Sequence, residues 1–208
     1  IQVPYAKMGL FHPPYITTGK GCLPYLQYPY SLETGWRFSD WRARDHRGSL
    51  YLTAEERAEG QALRDAIGPF LLLEPTAARK LGNRRPPVAF WQALADELRP
   101  GPLPVVQLAH AAAVPLAGVT QIPNRDFRHA GAILSAATVL VTTEGGLPHA
   151  AAALSTPAVV LWGGCVSCEA LGYPEQINLM DPAPETPCGS LKPCDHCAHA
   201  WDRLRPDH

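Results

Sequence analysis

The apolar positions of this chain fall into short runs separated by stretches of helical period, beginning near Leu52. TAEERAEGQALRDAIG opens at Thr53 with Glu56 three residues on, the pattern of a capping box, and stops at Gly68. PFLLLEPT follows as a buried strand, its apolar residues unbroken by alternation. Pro86 and Pro87 then lead into VAFWQALADELR, an amphipathic helix entered through proline. PLPVVQLA reads as the next strand, ending at Gln107, and AGVTQI as a short one. FRHAGAILSAA is a helix with Phe127, Ala130, Ile133 and Leu134 on one face. TVLVTT and AVVLW are two more β-branched runs, and Leu147 to Leu154 between them is rich in alanine, the best helix former. This alternation from Pro69 to Trp162 predicts an α/β domain, a Rossmann-like parallel sheet with helices on both faces.

The flanks break the pattern. Residues 1–50 mix Pro, Gly and Tyr without a sustained period and read as an irregular arm. Within it GWRFSDWRARDHRG combines two tryptophans with Arg37, Arg42, Arg44 and Arg47, which either grips bases, sugars or phosphates or packs by its aromatics on the main domain. After Gly164 the pattern dissolves into loops, with a final helix from Cys197 onward. The expected organisation is an arm at 1–50, a sheet domain at 51–180 and a cysteine-rich tail at 181–208 packed on it.

Candidate chemistry concentrates in TVLVTTEGGLPHAAAALSTPAVVLWGG. Strand, Gly145–Gly146 turn, helix and strand make one βαβ unit, which in a parallel sheet crosses over right-handed. The unpaired N–H groups and dipole of a helix start favour an anion such as phosphate. Glu144 and His149 flank that start, and Gly163 and Gly164 end the neighbouring strand, where backbone can also approach a ligand closely. A tight turn alone would explain one Gly-Gly pair. With Glu144, His149 and the second pair beside it, the ligand reading wins. In a parallel sheet, Thr76, Lys80, Asn83, Arg84 and Arg85 after the first strand face the same edge.

Composition narrows the field further. At 208 residues with 46% hydrophobic content the chain can bury a core, and a net charge of −1 gives no general pull toward nucleic acid or acidic membranes. No apolar run approaches the roughly 20 residues that span a bilayer. No signal pattern opens the chain, so cytoplasm is the expected compartment. Its first residue is Ile, which implies a processed, excised or incompletely recorded chain. Five of the six cysteines come at or after Cys165. Cys165-x-x-Cys168 and Cys194-x-x-Cys197 are knuckle-like pairs with Cys188, His196 and His199 close by. Cys168, Cys188, Cys194 and Cys197 are therefore candidate ligands of a structural zinc, with buried thiols as the alternative.

Taken together, the residues resemble a known family. E-P in the first strand, N-R-R-P-P before a Trp-bearing helix, D-F-R-H-A, T-E-G-G-L-P-H-A-A-A-A-L and V-V-L-W-G-G resemble the nucleotide-sugar-binding half of heptosyltransferase-type glycosyltransferases, glycosyltransferase family 9. The likeness runs from about Leu52 to about Met180, and the tail resembles that of some bacterial and phage relatives. It implies one half of a GT-B-type fold and a nucleotide-sugar donor transferred with inversion and without an obligatory metal. Glu144, where the family usually has Asp, and His149 would lie by the donor diphosphate and sugar. Arg84, or Lys80 in competition with it, would neutralise phosphate, and Thr76 would bond a phosphate oxygen. Gln107 and the Phe127–Arg128 turn would line the base and ribose.

The same resemblance implies a separate acceptor-binding domain that supplies the catalytic base, yet only about 50 residues precede the first helix. Asp40, Asp45 and His46 are the nearby candidates for such a base. Three arrangements follow: a fragment, a chain that pairs with another copy or a partner, or a module that binds a donor without transferring it. The acceptor is open: a glycan, a lipid-linked glycan or a modified nucleic acid. A different class, a zinc-stabilised protein associated with nucleic acid, draws on the Arg/Trp segment and the cysteines, and the near-neutral charge counts against it.

Overall fold

The computed structural model describes residues 47–75, 85–110, 113–163, 168–180 and 195–204. The arm through residue 46, with its tryptophans, Asp40, Asp45 and His46, lies outside them. Helix α1 (Ala54–Ile67) starts as its sequence predicts. Thr53 accepts from the Glu56 N–H at 3.2 Å, and the Glu56 carboxylate takes the Thr53 N–H at 2.8 Å. Gly68 ends it with φ at 81°, a left-handed value that favours glycine.

The chain then alternates β1 (Leu71–Glu74), α2 (Val88–Leu98), β2 (Val105–Ala109), β3 (Thr120–Pro123), α3 (Phe127–Ala136), β4 (Val139–Thr143), α4 (Gly146–Leu154) and β5 (Ala158–Trp162). A short helix α5 (Cys168–Leu171), strand β6 (Ile177–Met180) and helix α6 (Asp195–Arg203) follow. All six strands are parallel, in the order β3-β2-β1-β4-β5-β6. That is the doubly wound Rossmann order, whose direction reverses between β1 and β4. β2 runs two residues past its expected end at Gln107. β6 falls after Gly164, where the sequence pattern predicts loops. As an edge strand it leaves Ile177 and Leu179 exposed, so it never needed the continuous apolar run of a central strand.

Alternate residues of the central strands feed two cores. Phe70, Leu72, Val106, Leu108, Leu140 and Val160 face α1, α3 and α4, with Leu63 of α1, Ile133 and Leu134 of α3 and Ala150 and Ala151 of α4 against them. Leu71, Leu73, Val105, Val141 and Leu161 face α2 and α6 through Trp91, Ala95 and Trp201. The Trp201 ring sits 5.8 Å from that of Phe90, so the last helix docks on α2 and closes the second layer. Helix α1 crosses α3 at Gly60, where an added Cβ would lie 2.1 Å from the Ala132 carbonyl oxygen; only glycine permits that approach. The packing leaves the carboxyl ends of β1 and β4 side by side, where open sheets of this order bind ligands.

Candidate functional site

At the strand-order reversal β1 and β4 run in register, with Glu74 beside Thr142. The Thr142 hydroxyl donates to the Glu74 carbonyl oxygen at 3.0 Å, with the carboxylate Oε2 at 3.3 Å. Thr143 is 2% exposed, and its Oγ1 has no hydrogen-bond partner among the described residues. The Glu144 N–H donates to the Leu161 carbonyl at 3.3 Å, continuing the β4–β5 ladder one step past the strand end. Its side chain is buried, 4% exposed. A carboxylate is thereby placed inside the edge of the sheet, immediately before the chain turns into α4.

The turn itself is open. Gly145 caps α4 in an extended conformation (φ 166°, ψ −153°) that any residue adopts. An added Cβ there would meet nothing nearer than the Thr143 carbonyl oxygen at 4.0 Å. Neither backbone strain nor crowding demands glycine, whereas close approach of a ligand would. Gly146, the first helical residue, is likewise exposed, and a Cβ on it would lie 3.3 Å from the Phe127 ring. Phe127, half exposed at the start of α3, thus lies beside the α4 N-terminus. Pro148 costs no helical hydrogen bond in this first turn.

His149 stands on the next position of α4. One side of it reaches solvent, yet burial by the surrounding atoms holds its pKa below the usual histidine value. Its Nδ1 lies 2.9 Å from the Tyr173 hydroxyl, the two rings edge to face with centroids 5.5 Å apart. Tyr173 belongs to the loop between α5 and β6, and Gln176 of that loop donates to the Pro148 carbonyl at 2.6 Å. The first turn of α4 is therefore braced from the β5–β6 crossover.

The other sequence candidates divide. Gly163 follows β5 and is buried. Gly164, Thr76, Lys80 and Arg84 lie outside the described residues. Gln107 is fully enclosed, and its amide is taken by the loop that follows β2: Nε2 donates to the Val114 carbonyl at 3.0 Å, and Oε1 accepts from the Leu116 N–H at 2.8 Å. Its observed partners are backbone groups of that loop. Arg128 bonds to the Glu56 carboxylate and to the Tyr51 carbonyl at 2.8 Å, directed toward α1. Of the proposed zinc ligands, Cys168 lies half-buried in α5. Cys188 and Cys194 lie outside the described residues, as does the side chain of Cys197. Among the described residues no group of three or more His, Cys, Asp or Glu side chains is gathered to hold a metal. No described helix is long and apolar enough to cross a membrane.

Sequence reasoning passed over Glu74, Thr142, Thr143 and Tyr173 as site residues. The first three were legible as the polar end of apolar strands at a sheet edge. Tyr173 carried no signal, because the sheet alone brings it to His149 from 24 residues away.

No family model matches this sequence, and no curated protein matches it either. Solved structures do match in fold. A glycosyl transferase of family 9 from Veillonella parvula aligns with a TM-score of 0.60 at 16% identity, over 78% of this chain and 51% of that one. The E. coli ADP-heptose lipopolysaccharide heptosyltransferase II aligns at 0.59 and 18% identity, over 89% of this chain and 59% of that one. The E. coli heptosyltransferase WaaC with ADP-2-deoxy-2-fluoro heptose aligns at 0.54 and 15% identity, over 88% and 53%. The chain thus shares the Rossmann-like fold of these enzymes, as its motifs led one to expect, and spans between about half and three-fifths of their length.

Proposed function

We propose that this chain is the donor-binding half of a sugar-nucleotide-dependent glycosyltransferase, with the donor diphosphate on the N-terminus of α4. The observation that carries the proposal is the Gly145 corner: a glycine required by neither φ nor neighbours, on a helix start, at the reversal point of a Rossmann sheet. The likeness to glycosyltransferases, one of them with an ADP-sugar analogue, supports the choice of ligand. Glu144 and His149 position the sugar and diphosphate, and the exposed Phe127 ring offers a face to the nucleotide. Thr76 and a cation from Lys80 or Arg84, which follow β1 in sequence, would bind phosphate oxygens.

In the reaction an acceptor hydroxyl oxygen attacks the anomeric carbon and inverts it, without an obligatory metal. The bond to the diphosphate oxygen breaks, and its electron pair leaves with the nucleoside diphosphate. The acceptor proton passes to a base on the acceptor-binding side, from another segment, another copy or a partner. Charge grows on the leaving group, so the helix start and a nearby cation lower the barrier as well as aiding binding. A second reading is a nucleotide-sugar-binding module that acts with a partner and does no transfer itself.

A thermal-shift series with UDP-, GDP-, ADP- and CMP-linked sugars tests the site. Ligand at about a hundredfold its dissociation constant stabilises the native state by about 2.7 kcal/mol. One nucleotide class should raise the melting temperature, and Glu144→Gln and His149→Ala should each remove that response and any turnover. No response to any donor, or full response in both variants, sinks the assignment. Transfer to acceptors in a lysate separates the enzyme from the binding module.

A further inference from the structure

The geometry points to Tyr173 as the positioning residue of His149: its hydroxyl holds the imidazole in the Nε2–H tautomer, so the ring offers an N–H donor to an anion at the first turn of α4. The proposal rests on the donor-site reading above and adds to it a residue and a proton position. Tyr173 is 8% exposed, and its Oη lies 2.9 Å from His149 Nδ1. Between a phenol and a neutral imidazole the direction of the hydrogen bond follows from acidity and basicity. The imidazole lone pair is far more basic than the phenol oxygen, and the phenol O–H is a far stronger acid than imidazole N–H. Oη therefore donates and Nδ1 accepts, which leaves the single ring proton of the neutral form on Nε2. Burial, which lowers the His149 pKa, keeps that neutral form dominant at neutral pH.

The tyrosine is itself held in place. Asn178 Nδ2 donates to the Tyr173 carbonyl at 3.0 Å and to the Gln176 carbonyl at 3.2 Å, while its Oδ1 accepts from Trp162 Nε1 at 2.9 Å. Gly172 packs so tightly that an added Cβ would lie 2.6 Å from the Cys168 carbonyl oxygen. The loop thus presents Oη from a braced backbone. The consequence for binding is chemical. Diphosphate oxygens carry lone pairs and negative charge, so an Nε2 lone pair would repel them, whereas an Nε2–H donates to them.

The test is a long-range proton–nitrogen correlation spectrum of the full chain labelled with 15N-histidine at neutral pH, His149 being assigned by its loss in His149→Gln. The wild type should show a protonated-type Nε2 and an unprotonated-type Nδ1. In Tyr173→Phe, which keeps the ring and removes the hydroxyl, the two shifts should move toward each other. The dissociation constant for ADP, the probe, should then rise about five- to tenfold, the loss of one hydrogen bond. An Nδ1–H tautomer in the wild type, unchanged shifts in Tyr173→Phe, or equal ADP affinity despite shifted resonances overturns the proposal. Should Tyr173→Phe fail to fold, the wild-type spectrum decides the tautomer by itself. Failure of both proteins to respond to any of the UDP-, GDP-, ADP- and CMP-linked sugars counts against the donor-site reading, while the tautomer still stands or falls on the spectrum.

Discussion

Two parts of this molecule carry the same residue types, a glycine, a histidine and acidic side chains, and use them differently. Between α1 and α3 every such group has a reason inside the chain. Gly60 is demanded by the Ala132 carbonyl. His129 Nδ1 accepts the Arg125 N–H at 3.3 Å, and its Nε2 lies 3.5 Å from Glu59. Arg125 and Arg128 hold the Glu59 and Glu56 carboxyls below their ordinary pKa, chiefly by hydrogen bonding, so the charges of this region answer one another. At the β4–α4 corner the chain supplies no such reason for Gly145, and Glu144 and His149 flank a turn with room above it. The contrast is between a glycine that packing demands and one that neither φ nor neighbouring atoms demand.

The largest effect that would sharpen this contrast belongs to the packed region. Gly60→Val forces a branched side chain onto the Ala132 carbonyl and should cost about 3 kcal/mol. For a chain of this size that lowers the melting point by roughly 6 to 12 °C. ADP affinity below the transition should stay unchanged, and a melting point equal to wild type would show that the helices do not meet as described. Gly145→Ala should invert the pattern: stability within about 0.5 kcal/mol of wild type, but ADP bound tenfold or more weakly, about 1.4 kcal/mol. Equal affinity would return Gly145 to the class of ordinary turn residues.

A smaller effect belongs to His149. Because the His149 pKa is lowered in the folded state, the unfolded chain takes up that proton first as pH falls below about 6.5. Stability should therefore drop from that point until pH passes the lowered folded value, and this component should vanish in His149→Gln. Melting curves of the two proteins between pH 5 and pH 8 check it; parallel curves would break the assignment. The smallest effect is expected for Arg125→Ala. Arg125 and Glu59 pair at 2.7 Å, but the arginine side chain is 63% exposed. Solvent screening leaves such a pair worth little, so melting point and ADP affinity should both match wild type within error. A clear loss of ADP affinity would extend the ligand site onto α3.

Much of the fold was legible because its signals are local. The Thr53–Glu56 capping box, the prolines before α2 and the β-branched runs of β4 and β5 each encode an element within a few residues. The glycine corner with Glu144 and His149 beside it was legible as a strand-to-helix turn for the same reason. Elements with split burial were harder to read: β6 shows alternating exposure at a sheet edge, and the bonds of the Gln107 amide to Val114 and Leu116 join it to a loop that its own strand does not specify. Arg128 likewise finds its observed partners in Glu56 and the Tyr51 carbonyl, more than seventy residues back.

Strand, helix and turn identity, the parallel α/β class and the glycine corner were therefore written in the residues themselves, because propensity, capping and hydrophobic period act over short spans of chain. Strand order, the pairing of Tyr173 with His149 and the ion pairs between α1 and α3 were decided only by the folded sheet. Those relations join residues distant in sequence, and no local preference specifies which distant partner a side chain will meet.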